Sequence, residues 1–323
     1  MIATRSSHPL APACRGMLRW GPVSLAVAAV VVFSVAEAAA PPARGGKDEP
    51  PKPEEIGGAE LTTRDGVQLK ATFSPSNKGK EAVPVILLHS YKGSRKEYVG
   101  LADLLHKSGH AVLVPDLRGH GDSTTQYFGP GRTQELDASK FRTDDFARMV
   151  SYDMETLKAF LIKRNNAGEL NIEKLCVVGG EMGASVALDW ARLDWSWPVL
   201  VGKKQGQDVK ALVLISPELN FRGHDVRPAL SHPAVQRQLS MLIIVGNDDS
   251  RAVAEARRLE GMLSRYHPKP DDLKQQDFFF ARLGTKLQGT QMLGVQGINV
   301  EGGILNFIEL RLVEREFPWN IRE

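Results

Sequence analysis

From residue 84 onward, short unbroken apolar runs alternate with longer stretches in which apolar residues recur every three or four positions. The runs "PVILL" (84–88), "HAVLVPD" (110–116), "KLCVVGG" (174–180), "VKALVLISP" (209–217), "SMLIIVGND" (240–248) and "QDFFFARL" (276–283) predict strands buried on both faces. The periodic stretches predict helices over 95–107, 141–163, 182–193, 251–264 and 302–313. Strands that alternate with helices imply an α/β fold: a mostly parallel central sheet with helices on both faces. Phe278, Phe279 and Phe280 are read as core of a central strand. Ahead of these units, residues 59–73 alternate apolar and polar on both sides of Asp65-Gly66, which predicts an antiparallel hairpin. No internal repeat is visible, and the spacing between strands leaves no room for a large second or cap domain. In such sheets ligands bind at the carboxyl ends of the strands, so the residues that follow each run are the candidates for chemistry.

The first 56 residues break this pattern. Arg15 and Arg19 precede an apolar run at 23–35, and Ala36-Glu37-Ala38 supplies a small-residue cleavage site. That order describes a secretory signal peptide over residues 1–38. The run is short for a spanning helix, which needs about 20 apolar residues, and an uncleaved anchor is the alternative. Residues 39–56 turn to Pro, Gly, Lys and Glu, a composition that cannot bury a core and serves as an extended linker. The folded domain is therefore expected over 57–323, in an exported protein of the periplasm, cell envelope or medium.

Charge excludes more than it suggests. The net charge of +3 includes +2 from residues 1–38, where Arg5, Arg15 and Arg19 stand against Glu37, so about +1 remains for the rest. No basic run is interleaved with aromatics, and nucleic acid is not an expected partner. Cys14 and Cys176 cannot build a disulfide framework, and Cys14 lies in the segment expected to be removed. Cys176 falls mid-strand and reads as a small core residue.

Five of the strand ends, taken in order, resemble those of the α/β-hydrolase superfamily, and within it a bacterial dienelactone-hydrolase-like subgroup. "PVILLHSYKGSRKEYVGLADLL" is similar to the family's strand–His-Gly–helix entry, with His89-Ser90 in place of His-Gly. "AVLVPDLRGHGDS" (111–123), "VVGGEMGASVAL" (177–188), "LVLISPELNFRG" (212–223) and "LIIVGNDDS" (242–250) follow in the family's order. The third of these occupies the nucleophile elbow, G-x-S-x-G. The likeness covers residues 58–315 or so.

What the resemblance implies for the site is uneven. Both outer elbow glycines, Gly179 and Gly183, are present, but the nucleophile position holds Glu181, which has no hydroxyl proton to give up. Asp249 stands at the acid position, with Asp248 as its neighbour. The late histidine falls within "LQGTQML" (287–293), where Gln288 takes its place, and no histidine follows His267. A glutamine has no titratable nitrogen and cannot shuttle a proton. The backbone N–H groups of Tyr91 and Met182 are assigned to the oxyanion hole. His89 and His120 are read as loop-shaping, and Ser185 as helix packing. His224 and His232 are weaker candidates for a relocated base. Glu181, Asp248 and Asp249 offer oxygen ligands for a metal at one strand-end corner, but no His or Cys spacing supports one, and neither metal nor cofactor is expected.

The chain is thus expected to be an exported α/β-hydrolase-fold protein with a dismantled triad, inactive as a serine hydrolase, that binds a small molecule or acts as a scaffold. The alternative is an active hydrolase of ester-type substrates that uses Glu181 as a carboxylate nucleophile or a relocated base.

Overall fold

The structure is a computed structural model and describes residues 49–198 and 200–322. The segment read as a signal peptide and the first part of the linker lie outside the described residues.

Eight strands form the main sheet: β1 (Glu54–Ile56), β2 (Lys70–Ser74), β3 (Pro84–Leu88), β4 (Ala111–Asp116), β5 (Leu175–Gly180), β6 (Val209–Ile215), β7 (Ser240–Gly246) and β8 (Phe278–Leu283). Their spatial order is β1-β2-β4-β3-β5-β6-β7-β8. β2 runs antiparallel to β1 and β4, and the remaining neighbours pair in parallel. The helices are α1 (Val99–Lys107), α2 (Thr143–Arg148), α3 (Met154–Asn166), α4 (Met182–Ser196), α5 (Arg227–Leu230), α6 (Pro233–Arg237), α7 (Ser250–Leu263) and α8 (Val300–Ile308).

The apolar runs form buried strands because each serves two cores, as successive side chains point to opposite faces. Val85, Leu87, Cys176, Val178, Val213 and Ile244 face α1 and α8. Ile86, Leu88, Val177, Leu212, Leu214 and Ile243 face α3, α4 and α7. Each parallel crossover places the next strand's carboxyl end on the same edge of the sheet, where the candidate residues gather.

Three details differ from the sequence reading. The strand with the three phenylalanines, β8, is an edge strand, not a central one. Only Phe278 is buried; Phe279 and Phe280 are half-buried, because α8 covers one face incompletely and no further strand pairs beyond. Glu54–Ile56, assigned to the linker, is already in the sheet, paired with Ala71–Phe73. The helical stretch after the polar loop is divided by a π-turn at Met149–Asp153, between α2 and α3, which buries the Asp153 carboxylate beneath Arg118.

The Asp65-Gly66 turn exists, closed by the Gly66 N–H to the Thr63 carbonyl (2.9 Å) and a Thr62–Gln68 bridge. Its second arm, Val67–Gln68, pairs outward with Thr125–Tyr127, which continues to Thr133–Glu135. This ribbon arises inside the polar loop after β4, where no apolar run announces it. Gly66 (φ +87°) is required there, since a Cβ would lie 2.0 Å from the Tyr127 carbonyl oxygen.

Candidate active site

The elbow between β5 and α4 forms as its glycines dictate. A Cβ on Gly179 would lie 2.3 Å from the backbone of Gly183, and one on Gly183 would lie 2.2 Å from the Leu88 carbonyl oxygen. Strand, turn and helix therefore pack backbone to backbone. Glu181 sits between them at φ +45°, ψ −104°, a conformation few non-glycine residues adopt. Its N–H donates to the Ile215 carbonyl (2.9 Å), which fixes the turn against β6. Met182 opens α4, so its N–H belongs to the first turn, where helix N–H groups lack intrahelical acceptors.

The loop after β3 supplies the facing wall. A turn closed by the Gly93 N–H to the Ser90 carbonyl (3.0 Å) carries Tyr91, with Lys92 at φ +61°. The Tyr91 ring packs against Phe221 and His120, and its hydroxyl donates to the Ala138 carbonyl (3.1 Å). His89 is fully engaged below it. Its Nδ1–H donates to the Ser90 carbonyl (2.8 Å) and its Nε2 accepts from the Leu117 N–H (3.0 Å). Burial, with His120 beside it, pushes the His89 pKa down to about 3, so the ring stays neutral and structural.

The third wall is the segment after β8. Gly289 lies against the elbow so closely that a Cβ would meet both Glu181 Cγ and Ser90 Oγ at 2.8 Å. Thr290 Oγ1 lies 3.0 Å from Ser90 Oγ and donates to Glu97 Oε2 (2.8 Å), which also accepts from the Ser90 N–H (3.0 Å). Glu97, Ser90 and Thr290 thus stitch the β3 loop to the β8 loop beside Glu181.

Electrostatics sets the state of the central residue. Burial, and then the carboxylates of Glu218 and Glu97, raise the Glu181 pKa above the usual carboxylate range, while the Ser90 hydroxyl pulls the other way. The elbow carries a half-buried carboxyl that favours its protonated form relative to an exposed glutamate.

Gln288 comes to the same corner, and its amide is committed. Its Oε1 accepts from the Ser216 hydroxyl (2.6 Å) and the Gly246 N–H (3.3 Å); its Nε2–H donates to the Gly246 carbonyl (3.1 Å). Ser216, at φ +52° just beyond β6, also accepts from the Gly289 N–H (2.9 Å). The partner of the residue at the histidine position is therefore Ser216. Asp249 instead caps α7, accepting from the Arg251 and Ala252 N–H groups (2.9 and 3.0 Å). Asp248 is exposed.

Of the residues sequence reasoning assigned to the site, Glu181, Met182 and the two glycines form the elbow, Gln288 precedes the Gly289 that packs on it, and Tyr91 follows Ser90 on the facing loop. That reasoning missed Ser90, Glu97, Ser216, Glu218 and Thr290, isolated polar residues with no motif of their own. The "SP" that ends β6 is the only signal that could have drawn attention to Ser216. Ser185 packs as expected, its N–H donating to the Glu181 carbonyl (3.1 Å). His224 is buried beside Asp189 (3.5 Å). Among the described residues, no three His, Cys, Asp or Glu side chains gather as a metal site. Two surface hollows, of about 610 and 510 Å³, are lined by other residues.

The family model for the alpha/beta hydrolase fold matches residues 83–243. Among solved structures, the chain is similar to a dienelactone hydrolase from Anabaena variabilis (15% identity, TM-score 0.52), over 81% of this chain and 98% of that one. It is also similar to an esterase from Pyrococcus furiosus (18% identity, TM-score 0.54; 81% and 93% covered). A third likeness is to esterases from the fungus Rhizomucor miehei (16% identity, TM-score 0.51; 82% and 86% covered). At these identities the likeness is one of fold. No curated protein matches the chain in sequence.

Proposed function

We propose that this chain, which belongs to the α/β-hydrolase fold family, is an exported, non-catalytic homologue of the esterases that works as a binding or scaffold domain. The observation that carries this reading is the pairing at the elbow: a carboxyl at the nucleophile position and an amide at the base position, both built into the hydrogen-bonded fold. Acyl transfer by the family route needs a hydroxyl or thiol nucleophile and a base to take its proton. Glu181 has no such proton, and Gln288 accepts none. Loss of either member removes most of the rate of a working triad, and here both are replaced. Gly289 packs closely against Glu181 and Ser90, and Thr290 bonds Ser90, so the β8 loop is fastened to the elbow. Export rests on the sequence of residues 1–40: Arg15 and Arg19 ahead of a short apolar run and a small-residue site.

The test is direct. The purified chain is expected to turn over no p-nitrophenyl acetate above the uncatalysed rate and to take no label from a fluorophosphonate. Glu181→Ser combined with Gln288→His is expected to gain labelling at residue 181. Turnover by the unaltered chain that is lost in Glu181→Gln would overturn the proposal in favour of a carboxylate nucleophile.

A further inference from the structure

The segment between α4 and β6 is a short finger with an unusual division of labour between root and tip. At its tip, the Lys203 N–H donates to the Leu200 carbonyl (3.3 Å) across a turn in which Gly202 takes φ +75°. The turn projects Val201 fully into solvent, with Leu200 46% and Trp197 40% exposed. Ile321 of the C-terminal segment, 65% exposed, lines the same hollow as Trp197 and Leu200. Leaving such side chains in water forgoes the free energy their burial would release.

The root is the opposite. Asp208, fully buried, is held by Lys158 (3.2 Å), Lys204 (3.2 Å) and Arg322. Lys158 also bonds Asp194 (2.7 Å) and the Gln205 carbonyl (3.0 Å). Gly206 is in contact with the Asp194 carbonyl so tightly that a Cβ would lie 2.0 Å from it. A rigid root that holds an apolar tip in water is the geometry of a contact element.

Three observations select the occupant. The first is charge. Among the described residues, Lys203 is exposed and Lys204 and Lys210 are partly exposed beside the finger against the partly exposed Glu173, while Lys158, Arg322, Asp194 and Asp208 are buried in the root. Among the described residues no carboxylate pairs with Lys203, next to the tip. The second is composition: tryptophan, aliphatic side chains and lysine side by side suit the boundary between lipid headgroups and acyl chains.

The third is placement. β1 runs parallel to β5 and β6, so the chain enters the sheet at Glu54 on the edge where the finger leads into β6. Arg164 bonds Glu54 (2.8 Å), and the adjacent Asn165 and Asn166 hold Asn320 and Arg322, so the entry point, the C-terminal segment and the finger root lie together. In the sequence, residues 36–53 separate this entry point from the apolar run at 23–35. The candidate active site is on the opposite edge, at the carboxyl ends of the strands.

We propose that the tip formed by Trp197, Leu200, Val201 and Lys203 docks the folded domain on an anionic lipid surface, inserted at the interface, with the Glu181 corner facing away. Among the described residues no helix is long and apolar enough to cross a membrane.

The experiment uses the full chain carrying Cys14→Ser and Val201→Cys, labelled with an environment-sensitive NBD fluorophore; Cys176 is buried and does not compete. A parallel sample carries the label through Glu135→Cys, on the ribbon at the opposite edge. On vesicles of phosphatidylglycerol and phosphatidylcholine, the label at 201 is expected to shift blue and to be quenched by doxyl-labelled lipid. The label at 135 is expected to stay water-like. Lys203→Glu, or phosphatidylcholine alone, is expected to reduce the shift at 201. A water-like label at 201 on anionic vesicles would overturn the proposal. So would a blue shift that appears on concentrating the protein without vesicles, which would assign the tip to a second copy of the chain.

Discussion

Glu181 combines two costs in one residue. Its backbone is held at φ +45°, a strain of about 1–3 kcal/mol, and its carboxyl is half-buried near Glu218 and Glu97. The second cost has a definite pH signature. The folded pKa is raised, so the native state holds the proton above the pH at which the unfolded chain releases it. Stability therefore falls as pH rises from the unfolded value near 4.5 through the folded pKa, and stays lowered above it. Glu181→Gln keeps the shape and removes the charge. It is expected to raise the urea midpoint at neutral pH and to change it little below about pH 4, where both forms are uncharged. An equal effect at every pH would mean that the carboxylate is not penalised in the fold. The identity of this residue was legible because the flanking glycines fix the register of the elbow. Its neighbours were not, since a lone Ser90, Thr290 or Ser216 has no spacing that sets it apart from surface polar residues. Asp249 shows the converse: its place after β7 matched a family position, while its side chain obeys the local rule for a helix cap.

At the scale of elements, glycines separate those that make the site from those that merely sit in helices. Gly183 opens α4 against the β3 backbone, and Gly303 lies inside α8 with nothing within 4 Å of its missing Cβ. Gly183→Ala gains about 1 kcal/mol of helix propensity but drives a methyl to 2.2 Å from the Leu88 carbonyl oxygen, costing up to about 3 kcal/mol or more. It is expected to be destabilised by about 2 kcal/mol net, whereas Gly303→Ala is expected to be stabilised by about 1 kcal/mol, both by urea denaturation. The central strands were legible because burial on both faces leaves an unbroken apolar run. The outer ribbon (125–127 with 133–135) was not, because strands held by edge hydrogen bonds over polar side chains leave no apolar record. β8 was found as a strand but misplaced within the sheet, since three consecutive phenylalanines read the same at an edge as in the middle.

Over the whole molecule, the chain's last described residues are tied to its middle by buried charge. Arg322 reaches Asp208 and the Lys204 carbonyl (2.8 Å), Asn171 holds the Phe317 carbonyl (2.8 Å), and Lys80 lies over the Trp319 ring at 3.8 Å. Burial alone would push the Asp208 carboxyl up, but Arg322, Lys158 and Lys204 more than offset it and hold the pKa below the usual carboxylate range. The sign follows from the lowered value. The cluster contributes its full stability above the unfolded carboxyl pKa and loses it as pH falls through the folded one. Asp208→Asn leaves two buried cations short of a partner, a loss that costs roughly 3–5 kcal/mol. The expected result, read from urea denaturation, is an unfolding free energy lowered by that amount at neutral pH and little changed once the pH is low enough to protonate Asp208 in the unaltered chain. Because the same cluster roots the finger, hydrogen exchange should accelerate in 203–208 and 317–322 together. Faster exchange confined to the C-terminal segment would mean that the finger stands without its ionic root, and that Gly206 and the Asp194 backbone suffice to hold it.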